Sequence, residues 1–175
     1  EKINSEMGSC QFLLPVADSI DPKLIRKYLG DNPLDIQLLE GQSYDVMNSC
    51  DMLIIASGSA TLEAGIIGCP MVIIYKLNPL TYFLAKLLVN VPLVGLVNIV
   101  AEEQVVPELI QNKVTAENIS AEVLAVLRAP EKEKAIRDRL LNIKNTLGEP
   151  GVMKVVANRI AVFMDRLSAN EKTPV

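Results

Sequence analysis

The stretch DMLIIASGSATLEAGIIGCPMVIIYK, residues Asp51 to Lys76, decides the fold. Met52 to Ala56 are apolar without alternation, as in a strand covered on both faces of a parallel sheet. The next residues, Ser57-Gly58-Ser59-Ala60-Thr61, are small and form a turn. ATLEAGIIG then reads as a helix, closed by Gly68 and followed by Pro70. MVIIYK, Met71 to Lys76, is the next strand. Strand, helix and strand in so short a span predict a βα repeat with parallel pairing.

The same alternation extends outward in both directions. Upstream, QFLLPVA (Gln11 to Ala17) reads as a strand. DPKLIRKYL reads as a helix with Asp21 as N-cap and Pro22 in first position. DIQLLE (Asp35 to Glu40) alternates like an edge strand, and SYDVMNSC is a short helix. Downstream, NPLTYFLAKLLVN reads as a helix capped by Asn78. Its stripe of Leu80, Phe83, Leu84, Leu87 and Leu88 is expected to pack on the sheet. LVGLVN is expected to supply a fifth short strand. From Glu102 onward VPELIQN, AENISAEVLAVLR, PEKEKAIRDRLLNIKNTL and PGVMKVVANRIAVFMDRL all read as helices, and SANEKTPV reads as a tail. The expected class is therefore α/β, a doubly wound parallel sheet of about five strands followed by C-terminal helices.

Composition removes several kinds of function. Of 175 residues, half are hydrophobic and 4% aromatic, with no Trp, and the net charge is −4. Such a chain offers neither the basic face nor the stacking platform of a nucleic-acid binder, so no nucleic-acid partner is expected. With no His at all, Ser-His-Asp and Cys-His catalysis and the HExxH zinc site are excluded. Cys10, Cys50 and Cys69 are an odd number without a CxxC pair, and read as reduced, mostly buried small hydrophobes. No run of 18 apolar residues predicts a membrane span, and a helix of about eleven residues at the apolar PLTYFLAKLLVN segment reaches only ~16 Å. The opening residues, EKINSEMGSC, have no leader-peptide pattern and no initiating Met, so a piece of a longer protein is expected.

The SGSAT turn carries the most specific chemistry. At the carboxyl end of a parallel strand, a glycine and three hydroxyl side chains beside a helix N-terminus suit a phosphate or diphosphate. Glu63 would repel phosphate, but it fits a pair of ribose hydroxyls, as acids do in dinucleotide sites. The plainer alternative is a helix capped by Ser59, with Glu63 favouring the dipole.

The block Ser57 to Gln111, with TLE, PMVIIYK, NPLTY, NIVA and VVPELIQ in order, resembles lipid-A-disaccharide synthase. That resemblance implies an inverting glycosyltransferase of two Rossmann-like domains, using no metal and no cofactor. It would move 2,3-diacylglucosamine from UDP to 2,3-diacylglucosamine 1-phosphate. This chain would be the UDP-donor-binding half, an incomplete Rossmann-like domain over residues 1–168 with a tail at 169–175. Ser57, Gly58, Ser59, Ala60 and Thr61 would line the diphosphate, Glu63 would hold the ribose, and Asn98 and Tyr75 would belong to the nucleotide pocket, with Lys76 beside Tyr75. The catalytic carboxylate and acceptor site would lie in the N-terminal domain, outside this chain, which alone would be inactive. The resemblance departs at Glu102-Glu103-Gln104, where the family usually has Gly-Arg-Glu, and the family's Gly-Ser-Arg phosphate loop is not in the sequence. A cytoplasmic protein with room for peripheral contact on the inner face of the inner membrane is expected, with the UDP-sugar lipid donor and the N-terminal domain as partners. Self-association, as a homo-oligomer or swapped dimer, is expected to cover the sheet edge and the apolar stripe of the last helix. The alternatives are another UDP-sugar enzyme, a MurG-like transferase or 2-epimerase, and a non-catalytic α/β interaction module.

Overall fold

A computed structural model describes residues 1–88, 93–148 and 151–170. The chain divides into two compact units, residues 1–144 and 145–175. In the first, α1 (Lys2–Met7), β1 (Phe12–Val16), α2 (Pro22–Leu29), β2 (Ile36–Glu40) and α3 (Ser43–Ser49) lead to β3 (Leu53–Ala56), α4 (Ser59–Ile67) and β4 (Met71–Tyr75). Then come α5 (Pro79–Leu88), α6 (Leu96–Ala101), β5 (Glu108–Ile110), a 3-10 turn, α7 (Ala116–Leu127) and α8 (Pro130–Thr146).

All strand pairing among the described residues is parallel, as the βα pattern requires. The strands form two groups, β1 with β2 and β4 between β3 and β5. Phe12 to Val16 pair with Ile36 to Glu40, Leu53 to Ala56 with Met71 to Ile74, and Ile73 to Tyr75 with Glu108 to Ile110.

The caps follow local chemistry. Asp21 accepts from the Lys23 amide at 2.8 Å, and Thr115 from that of Asn118 at 3.2 Å. The Leu80 amide donates to Asn78 Oδ1 at 3.0 Å. Gly68 closes α4 in the left-handed region, φ 84° and ψ 20°, where a side chain would be strained.

The three-stranded sheet has a core cluster on each face, centred on β4. Leu53, Ile55, Met71 and Ile73 join Ala64, Val97, Ile136, Leu140 and Ile143 in one core cluster. Val72 and Ile74 pack on the opposite face with Leu109, Val123, Ile3 and Leu127. The charge run of α8 forms its opposite-sign pairs, Glu133 with Arg137 at 2.9 Å and Lys134 with Asp138 at 3.4 Å. The exposed Lys134–Asp138 pair contributes little stability. Arg137 also donates to Gly68 O at 3.2 Å, tying α8 to the end of α4.

Three sequence expectations change. The fifth strand is not LVGLVN but Glu108–Ile110, inside the stretch read as helical, while Leu96 to Ala101 coil into α6. The reason is packing: Val97 is fully buried and lies so near Gly65 that a Cβ there would come within 2.6 Å of it. That close approach overrides the strand propensity of the valines. Second, β3 is not buried on both faces. Ile54 is 49% exposed and Ala56 is exposed, because among the described residues one edge of β3 has no strand beside it. Third, Leu80 and Leu84 of α5 are exposed rather than packed on the sheet. The side chains of Phe83, Leu87 and Leu88 lie outside the described residues, as does the expected tail from residue 171 onward.

In the second unit α9 (Val152–Asn170) carries the expected stripe, and Val152, Val155, Val156, Ile160, Phe163 and Met164 are all exposed.

Candidate functional site at the end of β3

Residue Ser57 leaves β3 with its amide donating to Ile74 O at 3.0 Å and its hydroxyl to Val94 O at 2.7 Å. Gly58 is the N-cap of α4, and no side chain caps this helix. The alternative in which Ser59 serves as the cap therefore does not hold: Ser59 is the first helical residue and is exposed. Helix amides at Ser59 and Ala60 are left at the positive end of the dipole without a side-chain acceptor. Gly58 has an extended backbone, φ 165° and ψ −170°, which any residue adopts, and a Cβ there would meet nothing within 4 Å. Neither conformation nor packing inside the chain calls for glycine at this position.

Thr61 is buried, and its hydroxyl donates to Gly58 O at 2.8 Å. Its role in the structure is to fix the turn, and its proton is not offered outward. Glu63, one turn along α4, is half-buried. Its carboxylate lies beside the Tyr44 hydroxyl, and hydrogen bonding to Glu63, with the negative charge adding to it, raises the Tyr44 pKa. Tyr44, in the first turn of α3, thus stands beside the acid and is exposed. Tyr75 ends β4 and is half-buried, and Lys76 is exposed just beyond it. Ser57 to Thr61, Glu63 and Tyr75 therefore gather around the carboxyl ends of two neighbouring parallel strands, where open α/β sheets bind ligands.

Asn98 is placed differently. It is 0% exposed, and its amide is saturated by the protein. Its Nδ2 donates to Val106 O at 2.9 Å and to Glu108 Oε1 at 2.8 Å. Its Oδ1 accepts from the amides of Val105 at 2.9 Å and Val106 at 3.0 Å. Glu108 accepts in turn from the amides of Val94 and Gly95, both at 2.9 Å. Since Val94 O receives the Ser57 hydroxyl, an unbroken chain of hydrogen bonds runs from Asn98 through Glu108 and Val94 to the turn. Asn98 holds the turn from beneath instead of facing a ligand. A Cβ on Gly95 would come within 2.3 Å of Ile73 Cδ1, so the Ile73 side chain would have to shift to admit one.

Glu108 and Tyr44 are the two members of this constellation that sequence reasoning missed. Glu108 sits in a strand of only three residues, too short for periodicity to register, and nothing adjacent in sequence marks Tyr44. At the position where the resembled family has Gly-Arg, Glu102 adopts the left-handed conformation, φ 55° and ψ 16°, and Glu103 turns to Arg139 at 2.6 Å. Of the cysteines, Cys10 and Cys50 are half-buried and Cys69 is buried. The Cys69 thiol donates to Cys50 O at 3.3 Å, and desolvation pushes its pKa up to about 12.

A family model described as lipid-A-disaccharide synthetase matches residues 1–155. The lipid-A-disaccharide synthase of Syntrophus aciditrophicus is 40% identical over 154 residues, covering 87% of this chain and 39% of that protein. Those of Nitrosococcus oceani and Geobacter metallireducens are 38% and 42% identical, covering 94% and 89% of this chain and 42% and 41% of theirs. The chain thus spans about two fifths of the length of the curated relatives it matches.

Proposed function

The chain belongs to the lipid-A-disaccharide synthetase family, and we propose that it is the part of such a glycosyltransferase that holds the UDP end of the donor. In this reading the enzyme transfers 2,3-diacylglucosamine from UDP to 2,3-diacylglucosamine 1-phosphate in lipid A biosynthesis. One observation carries it: the N-terminus of α4 is uncapped, with open space at Gly58 and a carboxylate one turn away.

The chemistry follows from what these groups can do. The amides of Ser59 and Ala60 and the dipole of α4 accept the diphosphate, and Ser59 adds a hydroxyl. Glu63 takes both ribose hydroxyls, which leaves it far enough along the helix to escape the phosphates. Tyr44 keeps the Glu63 carboxylate oriented, and Tyr75 borders the pocket. As the acceptor oxygen attacks the anomeric carbon with inversion, the bond from that carbon to the diphosphate oxygen breaks. The charge gathering on UDP is stabilised by dipoles already in place, which is where preorganisation lowers a barrier. The proton of the attacking hydroxyl goes to a base outside this chain, in the part of the longer protein that would hold the acceptor.

A lesser proposal concerns the lipid. No helix among the described residues is long and apolar enough to cross a membrane. The outward leucines of α5, Leu80 and Leu84, suit shallow contact with an acyl chain or bilayer surface.

The test of the main reading is donor turnover by the full-length enzyme carrying Glu63→Ala. Loss of a charge-assisted pair of hydrogen bonds should lower kcat/KM for the UDP donor by ~10- to 100-fold. The KM for the acceptor should be unmoved. An unchanged donor kcat/KM would overturn the assignment.

A further inference from the structure

Gln111 follows β5 with its backbone in the left-handed region, and its side chain reaches across to the residue after Lys76. We infer that Gln111 is a positioning residue for the donor pocket, acting through Tyr75 and Lys76. The inference rests on the reading of the β3 and β4 ends as the seat of UDP.

The ladder between β4 and β5 shows what the Gln111 side chain replaces. Ile73 pairs with Glu108 and Tyr75 with Ile110, and Ile73 N donates to Pro107 O at 2.9 Å. Four residues further along both strands, the ladder would bring Leu77 N to Gln111 O. Gln111 instead takes φ 52°, and its carbonyl enters the 3-10 turn, where it accepts from Val114 N at 3.0 Å. Its side chain makes the ladder bond in place of its backbone. Gln111 Oε1 accepts from Leu77 N at 2.7 Å, and Nε2 donates to Leu77 O at 3.2 Å. One side-chain amide thus holds both backbone polar groups of Leu77.

The turn by itself does not call for glutamine. Glycine or asparagine would meet a φ of 52° with less strain. Strain kept at a residue whose side chain makes two specific bonds points to a use for those bonds. Their place supplies the use. Tyr75 is fixed in the ladder and Leu77 by the clamp, so the backbone is held on both sides of Lys76. Tyr75 is half-buried at the strand end, and Lys76 is exposed with a charge suited to a diphosphate. The SGSAT turn meets the same strand end through Ser57 N and Ile74 O.

A second grip from β5 points the same way. Glu108 accepts from the amides of Val94 and Gly95, and Val94 O receives the Ser57 hydroxyl. Leu77 lies before α5 in the chain and Val94 after it, so two side chains of one short segment hold the chain on either side of that helix. Glu108 supports the diphosphate turn through Val94, and Gln111 supports the Tyr75 and Lys76 border.

The test uses the full-length enzyme with Gln111→Gly and Gln111→Asn. Both variants suit the left-handed backbone, and neither has an amide long enough to make the clamp. Leu77 amide exchange should quicken by ~10-fold or more in each. The KM for the UDP donor should rise ~10-fold, with kcat within about twofold and the acceptor KM unmoved. In a Tyr75→Ala, Lys76→Ala background, Gln111→Gly should add less than about twofold. A donor KM unchanged in both Gln111 variants, while Glu63→Ala is impaired, overturns this inference and leaves the UDP reading standing. Equal rises in the donor and acceptor KM overturn it as well, since they mark general loosening. A full tenfold effect in the double-alanine background overturns the route through Tyr75 and Lys76. If Glu63→Ala also leaves donor turnover unmoved, the UDP reading fails and this inference fails with it.

Discussion

Replacing Asn98 tests whether the turn is held from beneath. Asn98→Ala removes four hydrogen bonds and strips the buried Val106 amide and carbonyl of these partners, while the Val105 amide keeps its bond to Glu103 O at 3.0 Å. At about 1 kcal/mol for each bond, with a further cost for stranded groups, the loss should be ~3–5 kcal/mol. In urea, where such a domain has a slope of ~2 kcal/mol per molar, the unfolding midpoint should fall by ~2 M. Asn98→Asp separates hydrogen bonding from size, because it keeps the acceptor for Val105 and Val106 while setting a second carboxylate against Glu108 Oε1, 2.8 Å from the replaced nitrogen. Like charges so close raise the folded-state pKa of the pair above its unfolded value. A raised folded pKa leaves stability intact below the unfolded pKa and removes it as pH rises through the folded one. The Asn98→Asp deficit relative to the unaltered chain should therefore be full at pH 8 and small near pH 4. Equilibrium unfolding at both pH values is the assay. A midpoint unmoved in Asn98→Ala, or an Asn98→Asp deficit independent of pH, would refute the reasoning.

Three further outcomes follow from the same structure. Glu102→Gly should stabilise by ~1 kcal/mol, raising Tm by ~2–4 °C, because Glu102 occupies the left-handed region at φ 55°; a lower Tm in calorimetry would contradict this. In the 175-residue chain at pH 8 a thiol reagent should label Cys10 and Cys50, and Cys69 only after unfolding, since burial pushes the Cys69 pKa up to about 12; prompt native labelling of Cys69 would count against it. Gly58→Ala in the full-length protein should leave stability within ~0.5 kcal/mol, having room for its methyl. It should still weaken UDP binding by ~10-fold or more if the open space is where the diphosphate approaches.

How much of this was legible in the sequence depends on where local chemistry decides and where packing does. The β3–α4–β4 unit was plain, because an unbroken apolar run, a small-residue turn and a Gly-Pro stop are local signals. The caps at Asp21, Asn78 and Gly68 were legible for the same reason. The α6 and β5 assignments were not. Val97 reads as a strand residue until it meets the bare backbone of Gly65, and Glu108 reads as helical until its carboxylate is seen gathering the amides of Val94 and Gly95. The site divides similarly. Ser57, Gly58, Ser59 and Glu63 lie within seven residues and share one turn, so spacing alone brings them together. Asn98 belongs to the site through a chain of bonds crossing three segments, and Tyr44 comes to Glu63 from a different helix. The unalternating apolarity of β3 implies full coverage, and its exposed edge follows only from the strand order.

The central claim is that Glu63 grips the ribose of a nucleoside diphosphate whose phosphates sit on the α4 amides. Calorimetric titration of UDP and 2′,3′-dideoxy-UDP into the full-length protein and its Glu63→Ala variant closes a double cycle on that contact. Removing the ribose hydroxyls should cost the unaltered protein ~10- to 100-fold in affinity. The variant should bind both nucleotides alike, at the weaker level. A variant that binds UDP as tightly as the unaltered protein, or that still prefers it over the dideoxy form, would contradict the account.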